Sequence, residues 1–204
     1  MIDSSSRQYR FSLVMITSLF FMWGFVHNLD PILIPHLRRS FSLSVLQSSL
    51  VDSAVFIAYF VMALPAGMLI RRAGYKFAMI TGLMLFATGS LMFIPAANTQ
   101  LYVVFLGALF TIACGLTILE TAANPYMTLL GSPEKAAQRL NLAQSFNGLA
   151  TMVAPLIGAR LILVHGATDA QLNAMPEAER VATLAMEAAS VKGPYMVLGL
   201  VILA

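Results

Sequence analysis

Charged residues and cysteine are both scarce in this sequence. Asp, Glu, Lys and Arg together make up 10% of its 204 residues, whereas an ordinary soluble domain has about 25%. Cys114 is the only cysteine, so neither a disulfide framework nor a Cys-based metal site can form within the chain.

The sequence motifs of soluble enzymes are absent as well. There is no G-x-x-x-x-G-K-S/T phosphate loop, no H-E-x-x-H helix and no G-x-S-x-G turn. The net charge is +3, but the 12 Lys and Arg are dispersed over short loops without interleaved aromatic residues, which argues against nucleic-acid binding. We therefore predict that the chain is not an enzyme, needs no cofactor or metal, and has no nucleic-acid partner.

Long apolar runs occupy most of the chain instead. Hydrophobic residues account for 59% of the sequence and the mean hydropathy is +0.81, which indicates an integral membrane protein. A helix needs about 20 apolar residues to cross the hydrocarbon core. The predicted spans are 11–37, 47–70, 77–97, 101–130, 141–164 and a sixth that begins at Pro194. The sixth is too short to cross, so we expect it to be truncated and the chain to be a fragment.

Basic residues in the short loops predict the orientation. One side carries Arg7, Arg10, Arg71, Arg72, Lys76, Lys135 and Arg139, and the other has Arg38, Arg39 and an uncharged turn at 98–100. We predict that residues 1–10 are a cytoplasmic tail and that residues 11–204 form the transmembrane bundle. Residues 165–193 would be an external connector, with a short surface helix that has Pro176 in its first turn.

Glu120 lies inside an apolar span, where a charge costs about 2.5 to 3.5 kcal/mol on insertion scales. Such a carboxylate predicts a substrate or proton path, because burial favours the neutral acid, which can release its proton when the cavity hydrates. Asn124 follows four residues later on the same helix face, and Gln144 and Asn147 share a face of the next span. The spacing from the helix ends predicts that the two pairs meet at similar depth.

The loop from Gly67 to Lys76 resembles the signature between the second and third helices of the major facilitator superfamily. That signature has a glycine, an acid-basic pair, a glycine and further basic residues. Arg71 stands where the family usually has Asp, so the salt bridge attributed to that Asp is not carried over. On the loop alone, a basic segment that only fixes topology is an equal alternative.

Four longer strings sharpen the resemblance. They are F-M-W-G-F-V-H-N-L-D-P at 21–31, L-P-A-G at 64–67, L-E-T-A-A-N-P at 119–125 and R-L-N-L-A-Q-S-F-N at 139–147. Together they resemble the fucose-galactose-glucose:proton symporter family. The resemblance implies an all-α membrane protein of twelve helices in two six-helix halves, each built from two inverted three-helix repeats. This chain would be the N-terminal half.

The family's activity implies the partners. We expect symport of a hexose or deoxyhexose with a proton by alternating access, in the lipid bilayer of the cell inner membrane, together with the missing C-terminal half. The sequence does not choose the sugar. Two alternatives are an inactive fragment or assembly subunit of a transporter, and a membrane-embedded hydrolase built on two acids, which would work without a proton gradient.

The resemblance also implies residue roles. The family pairs an Asp on the first helix with a Glu on the fourth for proton coupling. Glu120 matches that Glu, but the family's Asp aligns with Pro31 and its Asn with Asp30, and one residue rotates a helical side chain by about 100°. The proton-coupling prediction is therefore Glu120 with Asp30, and whether Asp30 replaces the family's Asp stays open. Predicted sugar-binding residues are Asn28, Trp23, Glu120, Asn124, Gln144 and Asn147.

Several of these residues have a structural alternative. Trp23 would stack on a sugar or pack a helix interface, and His27 would relay protons or hydrogen-bond within the bundle. Asp52 and Arg160 would snorkel to the interface, pair with each other or contact the substrate. The Asx-Pro steps beside Asp30 and Glu120 predict helix breaks that face a cavity, with a tolerated kink as the alternative. Four glycines are expected to allow close helix packing, namely Gly82, Gly89, Gly107 and Gly115.

Overall fold

The computed structural model describes residues 4–29, 32–35, 38, 41, 44–162, 167 and 169–203. Within these ranges the chain is helical and contains no strand. The helices are α1 (Ser4–His27), α2 (Val45–Thr99), α3 (Tyr102–Leu129), α4 (Ala136–Ile162), α5 (Asp169–Ala174), α6 (Glu177–Ser190) and α7 (Lys192–Leu203), with a 3-10 turn at Pro133–Lys135.

Helix α2 contains two of the predicted spans and bends between them at Gly74. Gly74 has φ 82° and ψ 169°, a conformation that a Cβ atom disfavours, so the helix axis changes direction at this residue. We call the two arms α2a (residues 45–73) and α2b (residues 75–99). The first arm begins with a capping box, in which the Ser44 hydroxyl accepts from the Gln47 N–H and the Gln47 side chain accepts from the Ser44 N–H.

Four described helical segments are long and apolar enough to cross a membrane. They are Arg7–Pro35, Val45–Thr99, Tyr102–Leu129 and Glu177–Leu203. Helix α4, which contains Arg139, Gln144 and Asn147, is not in this set. Each of the six predicted spans thus has a helical counterpart, and the last helix begins at Lys192, before the predicted Pro194. The fold is that of an all-α membrane protein.

Glycines hold α2b close to α3. A Cβ on Gly115 would lie 2.6 Å from the Gly82 carbonyl oxygen, and one on Gly89 would lie 2.7 Å from the Ile112 nitrogen. These contacts confirm the packing prediction for Gly82, Gly89 and Gly115, since only a residue without a side chain allows such an approach. At Gly107 the prediction is wrong, because a Cβ there would meet only the Met92 methyl group at 3.9 Å.

Two further contacts complete the bundle. Helix α1 packs along α4, and α7 packs on α2. The rings of Phe93 on α2b and Tyr195 on α7 stack with centroids 3.9 Å apart and planes inclined by 7°. Both side chains are fully buried, so this pair anchors the last helix in the aromatic core.

The connector is more deeply packed than a surface helix. Pro176 is the N-cap of α6, so the helix begins one residue later than predicted. The Glu187 side chain is 2% exposed and accepts a hydrogen bond of 3.0 Å from the Ala167 N–H. Glu187 and Ala188 of α6 are therefore buried, which corrects the prediction of a surface helix at these two positions.

Arg139 joins the end of α3 to the start of α4. Its side chain is 5% exposed, and its guanidinium donates to the carbonyl oxygens of Met127 at 3.2 Å, Thr128 at 2.8 Å and Ser132 at 2.9 Å. The last carbonyls of a helix have no partners within the helix. Arg139, predicted only as a topology-setting charge, therefore caps α3.

Candidate functional site

Glu120 lies on α3 and faces α2a. The Tyr59 hydroxyl donates a hydrogen bond of 2.8 Å to the Glu120 carboxylate. His27, the last residue of α1, is near enough to act on the same carboxylate electrostatically. A phenol can accept a hydrogen bond as well as donate one. The structure thus gives the membrane-embedded acid a specific partner.

Asn124 connects this acid to α4. Its amide nitrogen donates to the Glu120 carbonyl oxygen at 2.9 Å, and its amide oxygen accepts from the Gln144 amide at 3.2 Å. Helix α3 continues through Pro125 to Leu129. The predicted break at the Asn124-Pro125 step is therefore wrong and the tolerated kink is the better description, although Pro125 still removes one backbone donor from the helix.

Two other amides hold α1 against α4. The Asn147 amide nitrogen donates to the Phe20 carbonyl oxygen at 3.0 Å. The Asn28 amide nitrogen donates to the Gly24 carbonyl oxygen at 2.6 Å and to the Thr151 hydroxyl at 3.3 Å. Gly24 permits this approach, because a Cβ at that position would lie 2.6 Å from the Asn147 amide nitrogen. Helix α1 ends just before Asn28, so the Asn28 and Asn147 amides contact α1 near its end and about one turn earlier.

The predicted site residues therefore form two groups. Asn124 and Gln144 join α3 to α4, while Asn28 and Asn147 join α1 to α4. The hydrogen bond between Asn124 and Gln144 joins the two pairs that the depth argument predicts to meet, although among the described residues no hydrogen bond connects Glu120 itself to Asn147. The Asn147 amide donates to a backbone carbonyl of the neighbouring helix, whereas the Asn28 and Asn124 amides donate to carbonyls four residues earlier in the chain.

Trp23 belongs to the packed core in this conformation. Its side chain is 5% exposed, and its ring centroid lies 4.1 Å from that of Phe20. This arrangement favours the interface-packing alternative over stacking on a sugar. The other first-helix prediction, Asp30 with its neighbour Pro31, lies outside the described residues.

A separate polar cavity lies where α1 ends and α2a begins. It has a volume of about 440 Å³ and is lined by His27, Asn28, Ile34, Pro35, Asp52, Val55 and Phe56. Asp52 and Arg160 are both exposed, and the described residues show no ion pair between them. Sequence reasoning missed Tyr59 as the partner of Glu120. The available signal was the spacing of Tyr59 from Asp52, since seven residues place these two side chains on one face of α2a.

No metal site is found among the residues described. Within those ranges no three His, Cys, Asp or Glu side chains come together. The arrangement has instead one acid inside an apolar bundle, a phenol and a set of amides. These groups can exchange a proton and can hydrogen-bond hydroxyl groups.

The fold and this site define a multi-pass membrane protein with polar side chains between its helices. The sequence profile of the Major Facilitator Superfamily matches residues 12–174. The chain belongs to the Major Facilitator Superfamily.

Similar proteins come from two kinds of comparison. The chain is 50% identical over 197 residues to a glucose/galactose transporter of Brucella abortus, a match that covers 97% of this chain and 45% of the relative. It is 40% identical over 200 residues to the L-fucose-proton symporter of Escherichia coli, with 97% and 46% covered. The chain thus spans about half the length of these relatives.

Solved structures agree with the sequence comparison. A crystal structure of the Escherichia coli fucose:proton symporter superposes with a TM-score of 0.83 at 38% identity, and the match covers 96% of this chain and 47% of that one. A structure of the transporter FucP in the outward conformation gives a TM-score of 0.83 at 39% identity, with 96% and 48% covered. The six helical counterparts described above therefore correspond to about half of such a transporter.

Proposed function

We propose that this chain forms the N-terminal half of a sugar:proton symporter that works by alternating access. The observation that carries the proposal is the Glu120 carboxylate inside the bundle, hydrogen-bonded by Tyr59 at 2.8 Å. A charge at this depth is costly, so acids in such positions are commonly part of a transport path. The names of the relatives, a glucose/galactose transporter and an L-fucose-proton symporter, support a sugar substrate.

The proton and the sugar would share the centre of the bundle. Glu120 binds and releases the proton, and Asp30 is the second acid of the coupling pair. Sugar hydroxyls both donate and accept hydrogen bonds, which suits the amides of Asn124 and Gln144, since an amide offers both functions. The Asn28 and Asn147 amides would reach the sugar only when α1 and α4 change their contact, as alternating access requires.

The proposed setting is the inner membrane of a bacterium, with the N-terminus in the cytoplasm. The basic loops support this orientation, because Arg71, Arg72 and Lys76 are exposed around the Gly74 bend. The remaining wall of the cavity would come from a second six-helix half. The sugar is a hexose or deoxyhexose, and the proposed protein is a carrier without enzymatic activity.

The test is uptake of a labelled sugar panel by the complete carrier in proteoliposomes, with proton and sodium gradients imposed separately. Accumulation driven by the proton gradient alone is expected for at least one sugar. Glu120→Gln should lose this accumulation but keep sugar exchange, because Gln retains the shape and mimics a permanently protonated acid.

Glu134→Gln is the matched control. Glu134 lies exposed on the 3-10 turn Pro133–Lys135, so its replacement should leave accumulation unchanged. Normal accumulation by Glu120→Gln would show that Glu120 has no part in the coupling mechanism. Accumulation driven only by a sodium gradient would show that sodium, and not the proton, is the coupling ion.

A further inference from the structure

The polar cavity at the end of α1 holds two titratable side chains that the proposed coupling pair does not use. His27 and Asp52 both line this cavity of about 440 Å³, and both are exposed. They come from different helices, α1 and α2a. An open cavity of this size with an imidazole and a carboxylate can admit water and exchange protons with it.

His27 lies between the cavity and the central acid. It is the last residue of α1, and its side chain lines the cavity. Its imidazole is also within electrostatic range of the Glu120 carboxylate. The same side chain is therefore exposed to the cavity and close to the central acid.

Helix α2a provides a continuous face between the two places. Asp52, Val55, Phe56 and Tyr59 follow the spacing of one helix face. Seven residues separate Asp52 from Tyr59, roughly 10 Å along the helix axis. Tyr59 lies at the inner end of this face and donates its hydrogen bond to Glu120.

The Asp52 carboxylate is open to the cavity. It forms no hydrogen bond or ion pair with the residues that the structure describes. The titratable side chains placed with His27 are Asp52, which lines the same cavity, and Glu120 on α3 with its partner Tyr59 on α2a. Asp30 lies outside the described residues.

We propose that His27 and Asp52 form a proton-collecting site that loads Glu120 through Tyr59; this inference rests on the proposed symport. A proton from cavity water binds the Asp52 carboxylate and passes through water to the His27 imidazole, which leaves Asp52 a carboxylate again. The protonated imidazole passes its proton through water to the Tyr59 oxygen, while the Tyr59 hydroxyl gives its own proton to the Glu120 carboxylate. Tyr59 ends unchanged, His27 returns to the neutral form, and Glu120 becomes neutral.

The test compares variants of the complete carrier in proteoliposomes. His27→Asn, Asp52→Asn and the double variant are measured beside Glu134→Gln, which removes an exposed acid far from the cavity. The first readout is the initial rate of proton-driven sugar uptake at about pH 6 and about pH 8, because histidines ordinarily change charge between these two values. The second readout is sugar exchange without net proton movement.

Collection of protons should limit uptake when free protons are scarce. Each single variant is therefore expected to lower uptake about a hundredfold at about pH 8, the lower end of the range for positioned acid-base groups. The loss should be smaller at about pH 6, and exchange should stay at the wild-type rate. The double variant should resemble either single variant, because residues that act as a unit are not additive.

The outcomes separate this inference from the proposed function. If the wild-type carrier accumulates no sugar under a proton gradient, the proposed function fails and the inference fails with it. If the wild type accumulates sugar but both single variants match Glu134→Gln at both pH values, only the inference is wrong. An equal loss of uptake and exchange would also overturn it, because the cavity residues would then bind sugar or support the fold.

Discussion

Replacement of Arg139 tests how the end of α3 is held in place. The guanidinium is 5% exposed and donates three hydrogen bonds to the carbonyls of Met127, Thr128 and Ser132. Arg139→Ala leaves these carbonyls without their donor, and an unpaired buried acceptor costs about 1 to 3 kcal/mol. Water and local relaxation recover part of this loss, so we expect a total destabilisation of about 3 to 5 kcal/mol.

The assay is thermal unfolding of the complete carrier in detergent, followed by circular dichroism. For a domain of this size each kcal/mol shifts the Tm by about 2 to 4 °C, so Arg139→Ala should lower the Tm by on the order of 10 °C. Arg139→Lys keeps the charge but loses the planar fork of donors. Its Tm should fall between those of the wild type and the Ala variant.

Arg160 supplies the matched control on the same helix. It is exposed, and its side chain makes no hydrogen bond within the described part of the chain. Arg160→Ala should therefore change stability by less than about 0.5 kcal/mol. If Arg139→Ala unfolds at the same temperature as Arg160→Ala, the capping role of Arg139 is refuted.

Three further predictions follow from individual contacts. Tyr59→Phe removes the 2.8 Å hydrogen bond to Glu120 and should reduce proton-driven uptake more than sugar exchange; equal losses of both would contradict a proton role for Tyr59. Gly115→Ala forces a Cβ to within 2.6 Å of backbone atoms of α2b and should lower stability by about 1 to 3 kcal/mol in the same unfolding assay. Gly67 has open space around it, so the control Gly67→Ala should be neutral or slightly stabilising. Gln144→Ala should weaken sugar binding, measured by equilibrium binding of labelled sugar, more than it lowers the Tm, and unchanged affinity would make the bond to Asn124 purely structural.

The coupling role of Asp30, the acid on the first helix, is tested by moving the carboxylate along the chain. If Asp30 has the coupling role, Asp30→Asn should abolish pH-dependent transport. Adding Pro31→Asp should restore pH-dependent transport, because the double variant recreates the Asn-Asp order of the fucose-galactose-glucose:proton symporter family. A wild-type pH profile for Asp30→Asn would leave Glu120 as the coupling acid, loaded through His27 and Asp52.

The sequence by itself determined the class and the helical segments. Apolar runs of spanning length predict membrane helices because each must satisfy its own backbone hydrogen bonds in lipid. Glu120 stood out for the same reason, since a carboxylate in an apolar run is costly. The motif strings predicted the superfamily, and the spacing of Gly82, Gly89 and Gly115 predicted close packing. These are properties of one segment at a time, and a sequence shows them directly.

The tertiary structure alone decided which side chains meet. Tyr59 and Glu120 lie on different helices, and the rotation of each helix about its axis is set by packing that no single segment encodes. The depth argument predicted that the two polar pairs meet, and the hydrogen bond between Asn124 and Gln144 joins them. Equal depth does not fix the direction in which each side chain points, and Asn147 bonds Phe20 on α1. Arg139 likewise looked like a topology signal, and only the turn between α3 and α4 brings its guanidinium onto the open carbonyls of α3.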